Sequence, residues 1–373
     1  MQGTQPGSRY ATLDGLRGAA ALLVVFVHFP MLCHVRAIEH GYLAVDLFFI
    51  MSGFVIGSAY DCKLASGALS CRQYTQLRLV RLYPLYCAGL VLGLVAMGLR
   101  LPVSDWSEIA SALPASVLML PSHVAMPTFY PWPTVWNFIY PLDFPAWSLF
   151  FELVASLAYG VFFRDLTTRT LVAIMCVSGL CLVYLACTSS ISGGVAWDTF
   201  DSGFARLGYA FPAGLLLYRF GRPARERRHL AALALIVLVI ALLCMPWPAA
   251  HQNAIDLFLS LVVLPGIVWV ASRVEPPARL LPLFAFSGLV SYGIYVLHVP
   301  LGFIVQDLAS RIHTLSHPSR VVAAVFVPGV VLLAWVASRY YDAPVRRALL
   351  AHLRARHAAR PVATGTGEAP ATR

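Results

Sequence analysis

The sequence predicts an all-α, polytopic transmembrane helix bundle of about ten spans with both termini in the cytoplasm. Three observations carry that expectation. Hydrophobic residues make up 59% of the chain and charged residues 12%, at a mean hydropathy of +0.73, which lies outside the range of soluble domains. Apolar runs long enough to cross a bilayer recur along the whole sequence. Basic residues gather in every second loop, as expected of the cytoplasmic side.

Taken in order, the runs fall at roughly 12–33, 41–60, 80–99, 146–163, 170–188, 203–219, 229–248, 255–272, 284–306 and 320–341. The first contains "LDGLRGAAALLVVFVHF". It is too long and too charged for a cleavable leader and no small-residue cleavage site follows it, so it is expected to stay as a span. Lys63, Arg72 and Arg78 follow the second run, Arg164 and Arg169 the fourth, and Arg219, Arg222, Arg225, Arg227 and Arg228 the sixth. Arg273 and Arg279 follow the eighth, and Arg346, Arg347, Arg354, Arg356 and Arg360 the tenth. The opposite loops hold few, among them Arg36, Arg100, Arg311 and Arg320. The net charge of +10 is therefore read as setting orientation, with no nucleic-acid partner expected.

Residues 1–345 are expected to form one membrane domain. Residues 346–373 form a basic cytoplasmic tail, ending in "RPVATGTGEAPATR", with the composition of a disordered segment. The 8 cysteines are scattered without Cys-x-x-Cys spacing, so they read as core residues and not as a disulfide frame or metal site. The segment 100–145 is too broken by proline for a span and too apolar for a solvated loop. Part of it is expected to dip into the membrane or lie along it. Its Trp106, Tyr130, Trp132, Trp136 and Tyr140 suit either stacking on a sugar face or an interfacial aromatic belt.

Ionisable groups inside spans are costly unless paired or facing water, and so mark sites. Asp14, Arg17 and His28 share one stripe of the first span, with His28 about 16 Å beyond Arg17. Asp46 enters the second span roughly 8 Å below the outer surface, Glu152 lies one turn beyond Ser148 in the fourth, and His298 of the ninth reaches a similar height. His28 is the candidate general base, with Asp46 or Glu152 as the carboxylate that fixes its tautomer; a satisfied core histidine is the competing reading. Toward the cytoplasm, Arg78 and Arg81 of "QLRLVRLYPLY" stand near Arg17. Guanidiniums so placed hold phosphates by paired hydrogen bonds, although orientation alone also explains them. No metal site is expected, because His28, His298, Asp46 and Glu152 lack ligand spacing.

Five motifs in order, "LDGLRGAAALLVVFVHF", "VDLFFIMSGFVI", "RLVRLYP", "WSLFFELVASLAYG" and "SYGIYVLHVPL", make the chain resemble the integral-membrane acyltransferase-3 family. Its members include O-acetylases of O-antigen, exopolysaccharide and nodulation factors, and macrolide acylases. The hallmark of a basic residue and a histidine separated by ten residues is met by Arg17 and His28. The resemblance implies a multi-pass enzyme of the bacterial inner membrane. It would move an acyl group, usually acetyl, from cytoplasmic acyl-CoA to a hydroxyl of a glycan or other acceptor at the outer face, with acetyl-CoA as donor and no metal. The matched positions are His28 as base, Glu152 as the acidic residue, Ser52 and Gly53 as the serine-glycine motif, and Arg78 and Arg81 as the paired arginines. Asp46 joins the catalytic set and Arg17 the donor-binding set. Asp14, Ser52, Ser148, Tyr292 and His298 are support residues. Phe150 departs from the serine that often follows "WSL" in the family.

Direct transfer in a ternary complex is preferred to an acyl-imidazole on His28. The rival from another class is a transporter or flippase of a lipid-linked sugar, weakened by the lack of inverted repeats. Acylation of a small molecule such as a macrolide is the rival within the family.

Overall fold

The structure, a computed structural model, describes residues 10–29, 40–123, 137–221, 226–227, 229–311 and 318–358. The helices are α1 (Ala11–His28), α2 (Ala44–Ala65), α3 (Cys71–Arg100), α4 (Trp106–Val117), α5 (Ala146–Val161), α6 (Thr168–Thr188) and α7 (Phe200–Phe220). They continue as α8 (His229–Cys244), α9 (Gln252–Phe258), α10 (Leu264–Ala271), α11 (Leu281–Arg311), α12 (Pro318–Val336) and α13 (Ala343–Ala358). Wider π turns at Leu259–Val263 and Ala337–Asp342 join α9 to α10 and α12 to α13. A two-residue parallel pairing, β1 (Glu226–Arg227) with β2 (Val274–Glu275), is the sole named sheet among the described residues.

Within the described residues each expected span overlaps a helix or a π-joined pair. Among the described residues, seven segments are long and apolar enough to cross a membrane, by length and composition. The helices α5 and α8 are apolar but shorter, and α7 carries Asp201, Arg206 and Arg219 among its apolar residues. Large apolar side chains face outward, including Val177, Leu180 and Tyr184 of α6, Val237 of α8 and Leu332 of α12. Such a continuous apolar exterior suits lipid and not water.

Local sequence explains the helix starts. Ser70 caps α3 through a reciprocal box with Gln73, satisfying two backbone donors that the first turn leaves unpaired. Thr167 accepts from Thr170 N at 3.2 Å to start α6, and Pro145 immediately precedes α5.

The packing falls into two sets of parallel helices. Asp14 of α1 and Phe29, which caps that helix, pack on Gly288 and Gly302 of α11, in that order along the chain, and α3 follows α11 the same way, from Leu82 at Tyr292 to Arg100 at Gln306. In the second set α2 runs with α7, from Asp46 at Arg206 to Gly57 at Tyr218. Contact there is close enough for backbone to meet backbone. A Cβ on Gly53 would strike the Phe211 carbonyl, and one on Gly214 would strike the Ile50 carbonyl. Small residues at membrane helix crossings allow this approach.

The parallel pair α2 and α7 is locked by charge. Arg206 and Asp46 are each 1% exposed at the side chain. Arg206 donates from Nε and Nη2 to the two Asp46 oxygens at 3.1 and 2.7 Å, from Nη1 to the Gly193 carbonyl at 3.0 Å and from Nη2 to the Tyr42 carbonyl at 3.1 Å. The Gly193 contact ties down a cap of irregular segments. Ser122 N donates to the Ile139 carbonyl, Ile139 N to the Val195 carbonyl and Trp197 Nε1 to the Ser122 carbonyl.

Two expectations need correction. Residues 346–358 of the expected disordered tail lie in α13, which the π turn continues from α12; residues 359–373 lie outside the described set. The segment 100–145 contains the short helix α4, which leaves Trp106 exposed. Tyr140 is buried and donates to the Met119 carbonyl at 2.7 Å, so its hydroxyl is engaged within the cap instead of open to a sugar. Tyr130, Trp132 and Trp136 lie outside the described residues.

Removing one member of a buried ion pair strands the other. Arg206→Met is expected to lower the stability of the detergent-extracted protein by about 3–5 kcal/mol, and Asp46→Leu combined with Arg206→Met to recover most of that loss. Thermal unfolding monitored by fluorescence-detected size exclusion checks both.

Candidate active site

A cavity opens among α1, α2, α3, α5 and α11. Its polar lining comprises Arg17 from α1, Ser52 from α2, Arg78 and Arg81 from α3, Ser148 and Glu152 from α5, and Ser291, Tyr292 and Tyr295 from α11. The apolar remainder includes Phe48, Phe49 and Leu149. Positions i and i+4 of a helix share a face, which puts Ser148 and Glu152 together on the cavity side of α5. In "MSGF" the adjacent residues take different faces of α2: Ser52 turns to the cavity while Gly53 meets α7.

Glu152 is the hub of the polar wall. Its Oε1 accepts from Ser52 Oγ at 2.8 Å and from Arg78 Nη2 at 3.1 Å. Arg78 Nε also donates to Ser156 Oγ at 2.7 Å, and that oxygen lies 3.0 Å from the Tyr74 hydroxyl. Arg81 lies over the Tyr292 ring at 5.3 Å, and the charges of Arg17, Arg346 and Asp342 act on it. Neither Arg17 nor Arg81 forms an ion pair among the described residues, so the cavity carries guanidinium charge beyond what Glu152 neutralises. Asp14 packs against Gly288 outside this lining.

Farther along the same two helices, α1 and α11 bring two histidines together. His298 is fully buried, with Nδ1 2.8 Å from the Tyr295 carbonyl and 3.0 Å from that of Ile294. Its Nε2 lies 3.0 Å from His28 Nδ1, and that same His28 nitrogen is 2.9 Å from the Val24 carbonyl. His28 itself is partly exposed, with the Phe144 ring edge-on at 5.2 Å between centroids. Tyr295 links the two regions: its hydroxyl is 2.5 Å from Ser148 Oγ in the cavity wall, and its carbonyl faces His298.

The sequence placed His28, His298, Asp46 and Glu152 in one layer, with a carboxylate beside His28. The structure brings His28 to His298 and separates the acids from both. Asp46 pairs with Arg206, and Glu152 with Arg78 and Ser52. The carboxylate partner of His28 is thus corrected to an imidazole. A guanidinium buried in α7 takes one acid, and the arginine expected at a helix mouth takes the other.

Three residues went unassigned in the sequence. Arg206 was visible as an arginine inside an apolar run, and Arg346 had been counted only as a tail charge. Asp143 left no signal; it is buried, with neither oxygen meeting a donor among the described residues, beside Gly89 of α3. No group of three or more metal-ligating side chains occurs among the described residues.

With that geometry established, comparison with known proteins decides the class. The profile described as "Acyltransferase domain", of the acyltransferase-3 type, matches residues 10–339. The chain belongs to the acyltransferase-3 family.

It is a multi-pass membrane acyltransferase, which sets aside the transporter reading. Among relatives, "Protein 2 in picA locus" of Rhizobium radiobacter is 36% identical over 193 residues, covering 48% of this chain and 96% of that protein. "Peptidoglycan O-acetyltransferase OatA" of Listeria monocytogenes is 24% identical over 90% of this chain and 56% of its own length. "Acyltransferase MdmB" of Streptomyces mycarofaciens is 28% identical over 42% of this chain and 40% of its own. This acyltransferase therefore spans about half the length of the last two. No solved structure matches it.

The two ion pairs differ in access to solvent, with side chains 10% and 21% exposed for Arg78 and Glu152 against 1% for both members of the other pair. Glu152→Gln, at the less buried pair, is expected to cost less stability than the about 3–5 kcal/mol of Asp46→Asn. The same unfolding measurement compares them.

Proposed function

We propose that this chain is a membrane O-acyltransferase that moves an acyl group, most simply acetyl, from cytoplasmic acyl-CoA to a hydroxyl of a cell-surface or exported glycan. The observation that carries the reading is one continuous arrangement: an arginine-lined cavity beside α1 and α11, and a histidine pair farther along the same helices. Loop charge supports ten spans with both termini inside, which puts Arg17, Arg78 and Arg81 on the cytoplasmic side. The parallel courses of α1, α3 and α11, and of α2, α5 and α7, where α5 follows α2 from Glu152 at Ser52 to Tyr159 at Asp61, agree with that alternation. The bacterial inner membrane is the fitting compartment.

Acyl-CoA presents several phosphates and a thioester, and the lining suits it, since three guanidiniums face one carboxylate. Arg17 and Arg81, without ion-pair partners among the described residues, would hold phosphate oxygens. Arg78 is braced by Glu152 and Ser156, which fixes its direction. His28 then acts on the acceptor. A hydroxyl is a poor nucleophile at neutral pH, and an imidazole that removes its proton during attack contributes about 10²–10⁴-fold. The hydroxyl oxygen bonds to the thioester carbonyl carbon, the carbon-sulfur bond breaks, and His28 returns the proton to the departing thiolate. Direct transfer of this kind needs no covalent enzyme intermediate. Asp46, committed to Arg206, acts in support of the fold. The name of the Listeria relative, a peptidoglycan O-acetyltransferase, supports a glycan acceptor.

Two measurements test the reading. Cells carrying the intact protein are expected to hold alkali-labile acetyl esters on surface glycan, seen by mass spectrometry before and after mild base. Cells with no protein, or with His28→Ala at equal membrane abundance, are expected to lack them; esters that persist in His28→Ala overturn the assignment of the base. In membrane vesicles supplied with labelled acetyl-CoA, Arg81→Ala is expected to raise the KM for acetyl-CoA about 10-fold while changing kcat less, as loss of uniform binding does.

A further inference from the structure

The hydrogen bonds around the two imidazoles determine where their protons sit. Carbonyl oxygens only accept. His298 Nδ1 faces two of them, Tyr295 O at 2.8 Å and Ile294 O at 3.0 Å, so Nδ1 carries hydrogen. A second proton on Nε2 would make His298 a cation, fully buried and without a carboxylate partner among the described residues, and an unpaired buried charge is strongly disfavoured. Its Nε2 therefore presents a lone pair. The atom it faces, His28 Nδ1 at 3.0 Å, must be the donor.

A second contact demands the same assignment. His28 Nδ1 also lies 2.9 Å from the Val24 carbonyl, another group that only accepts. Its N–H is shared between Val24 O and His298 Nε2. In a neutral imidazole with hydrogen on Nδ1, the other nitrogen is a bare acceptor. That nitrogen belongs to the member of the pair that is not fully buried, while His298 is sealed behind it.

We propose that His298 is a positioning residue that holds His28 in its Nδ1–H tautomer, making Nε2 of His28 the atom that takes the acceptor's proton. The inference rests on His28 being the base. As the reaction proceeds, Nε2 gains the hydroxyl proton and His28 becomes an imidazolium. Its Nδ1–H bonds to His298 Nε2 and Val24 O become charge-assisted, and such bonds are stronger than neutral ones. When Nε2 returns the proton to the thiolate, the starting tautomer is restored. An aspartate performs this orienting task in hydrolase triads, where a wrong tautomer is very costly. Here a neutral ring does so without adding an anion beside the base.

The test uses the full chain, labelled with ¹⁵N-histidine, in lipid nanodiscs. Of its 11 histidines, His28 is assigned by its loss in His28→Gln. The expected spectrum shows a protonated Nδ1 and an unprotonated Nε2 for His28. His298→Ala is expected to convert this to a mixture of tautomers and to lower glycan ester in cells at least about 10-fold. His298→Gln, whose amide oxygen can accept from Nδ1–H, is expected to preserve the tautomer and recover most of the ester. An unprotonated Nδ1 in the intact protein overturns the proposal, and this needs no variant to fold. Ester lost in His28→Ala but kept in His298→Ala also overturns it while leaving the base intact. Ester kept in both overturns the base reading itself.

Discussion

A bundle surrounded by lipid must neutralise its charges internally, and the Arg206–Asp46 pair is where this constraint shapes the molecule most. Removing two ions from water costs several kilocalories per mole each unless their geometry is good and their remaining donors are used. Arg206 meets both conditions, since four donor contacts go to two carboxylate oxygens and two carbonyls. Those contacts join α2 to α7, hold the chain just before α2 at Tyr42, and pin the cap at Gly193. With α2 fixed at that end, the close crossing at Gly53 and Gly214 follows. Ser52, one residue from the crossing, then projects toward Glu152. The cavity wall is thus set from a site that does not line it.

The same constraint sorts the polar residues by partner. Asp46 and Glu152 pair with guanidiniums, Asp61 with Arg219, and Asp342 with Arg346. His40 pairs with Asp256, which also accepts from the Tyr42 hydroxyl at 2.6 Å. That contact extends the Arg206 network to the helix α9. The pair His28–His298 stands apart, because neither ring is bonded to an acid. In a medium of low dielectric an ionised carboxylate needs its own counter-charge, and placing one beside a base would demand another cation nearby. Two neutral rings, one donating to the other, meet no such demand.

The helices were legible because each span announces itself locally, through a run of apolar residues bounded by polar ones. Relative level along the bundle was legible for a related reason: a fixed rise per residue converts position into height, and His28 and His298, assigned similar heights, do meet. Partner choice was not legible. Which helix adjoins which depends on packing between residues far apart in sequence, and Asp46 and Arg206 are separated by 160 positions. Reading each helix from its own periodicity could place Asp46 near the level of His28, but not show that α7 supplies its guanidinium partner. Tyr140 and Asp143 were hidden for another reason. They belong to irregular segments whose burial comes only from the cap folding over the bundle.

The spacing between the arginines and His28 follows from two parallel helices acting together. Helix α1 runs unbroken from Ala11 to His28, so Arg17 and His28 are separated by the helical rise, about 16 Å along the axis. Helix α11 carries Tyr292 beside Arg81 and His298 beside His28, and its own rise separates these by about 9 Å. Sliding one helix along the other would break the imidazole contact before it lengthened the path. Close crossings resist that slide, since the Gly18 backbone meets Ser287 and Phe29 sits on Gly302. The proposed donor, charged at one end and reactive at the other, would thereby meet a scaffold of fixed length, with Tyr295 and Ser148 bridging the interval.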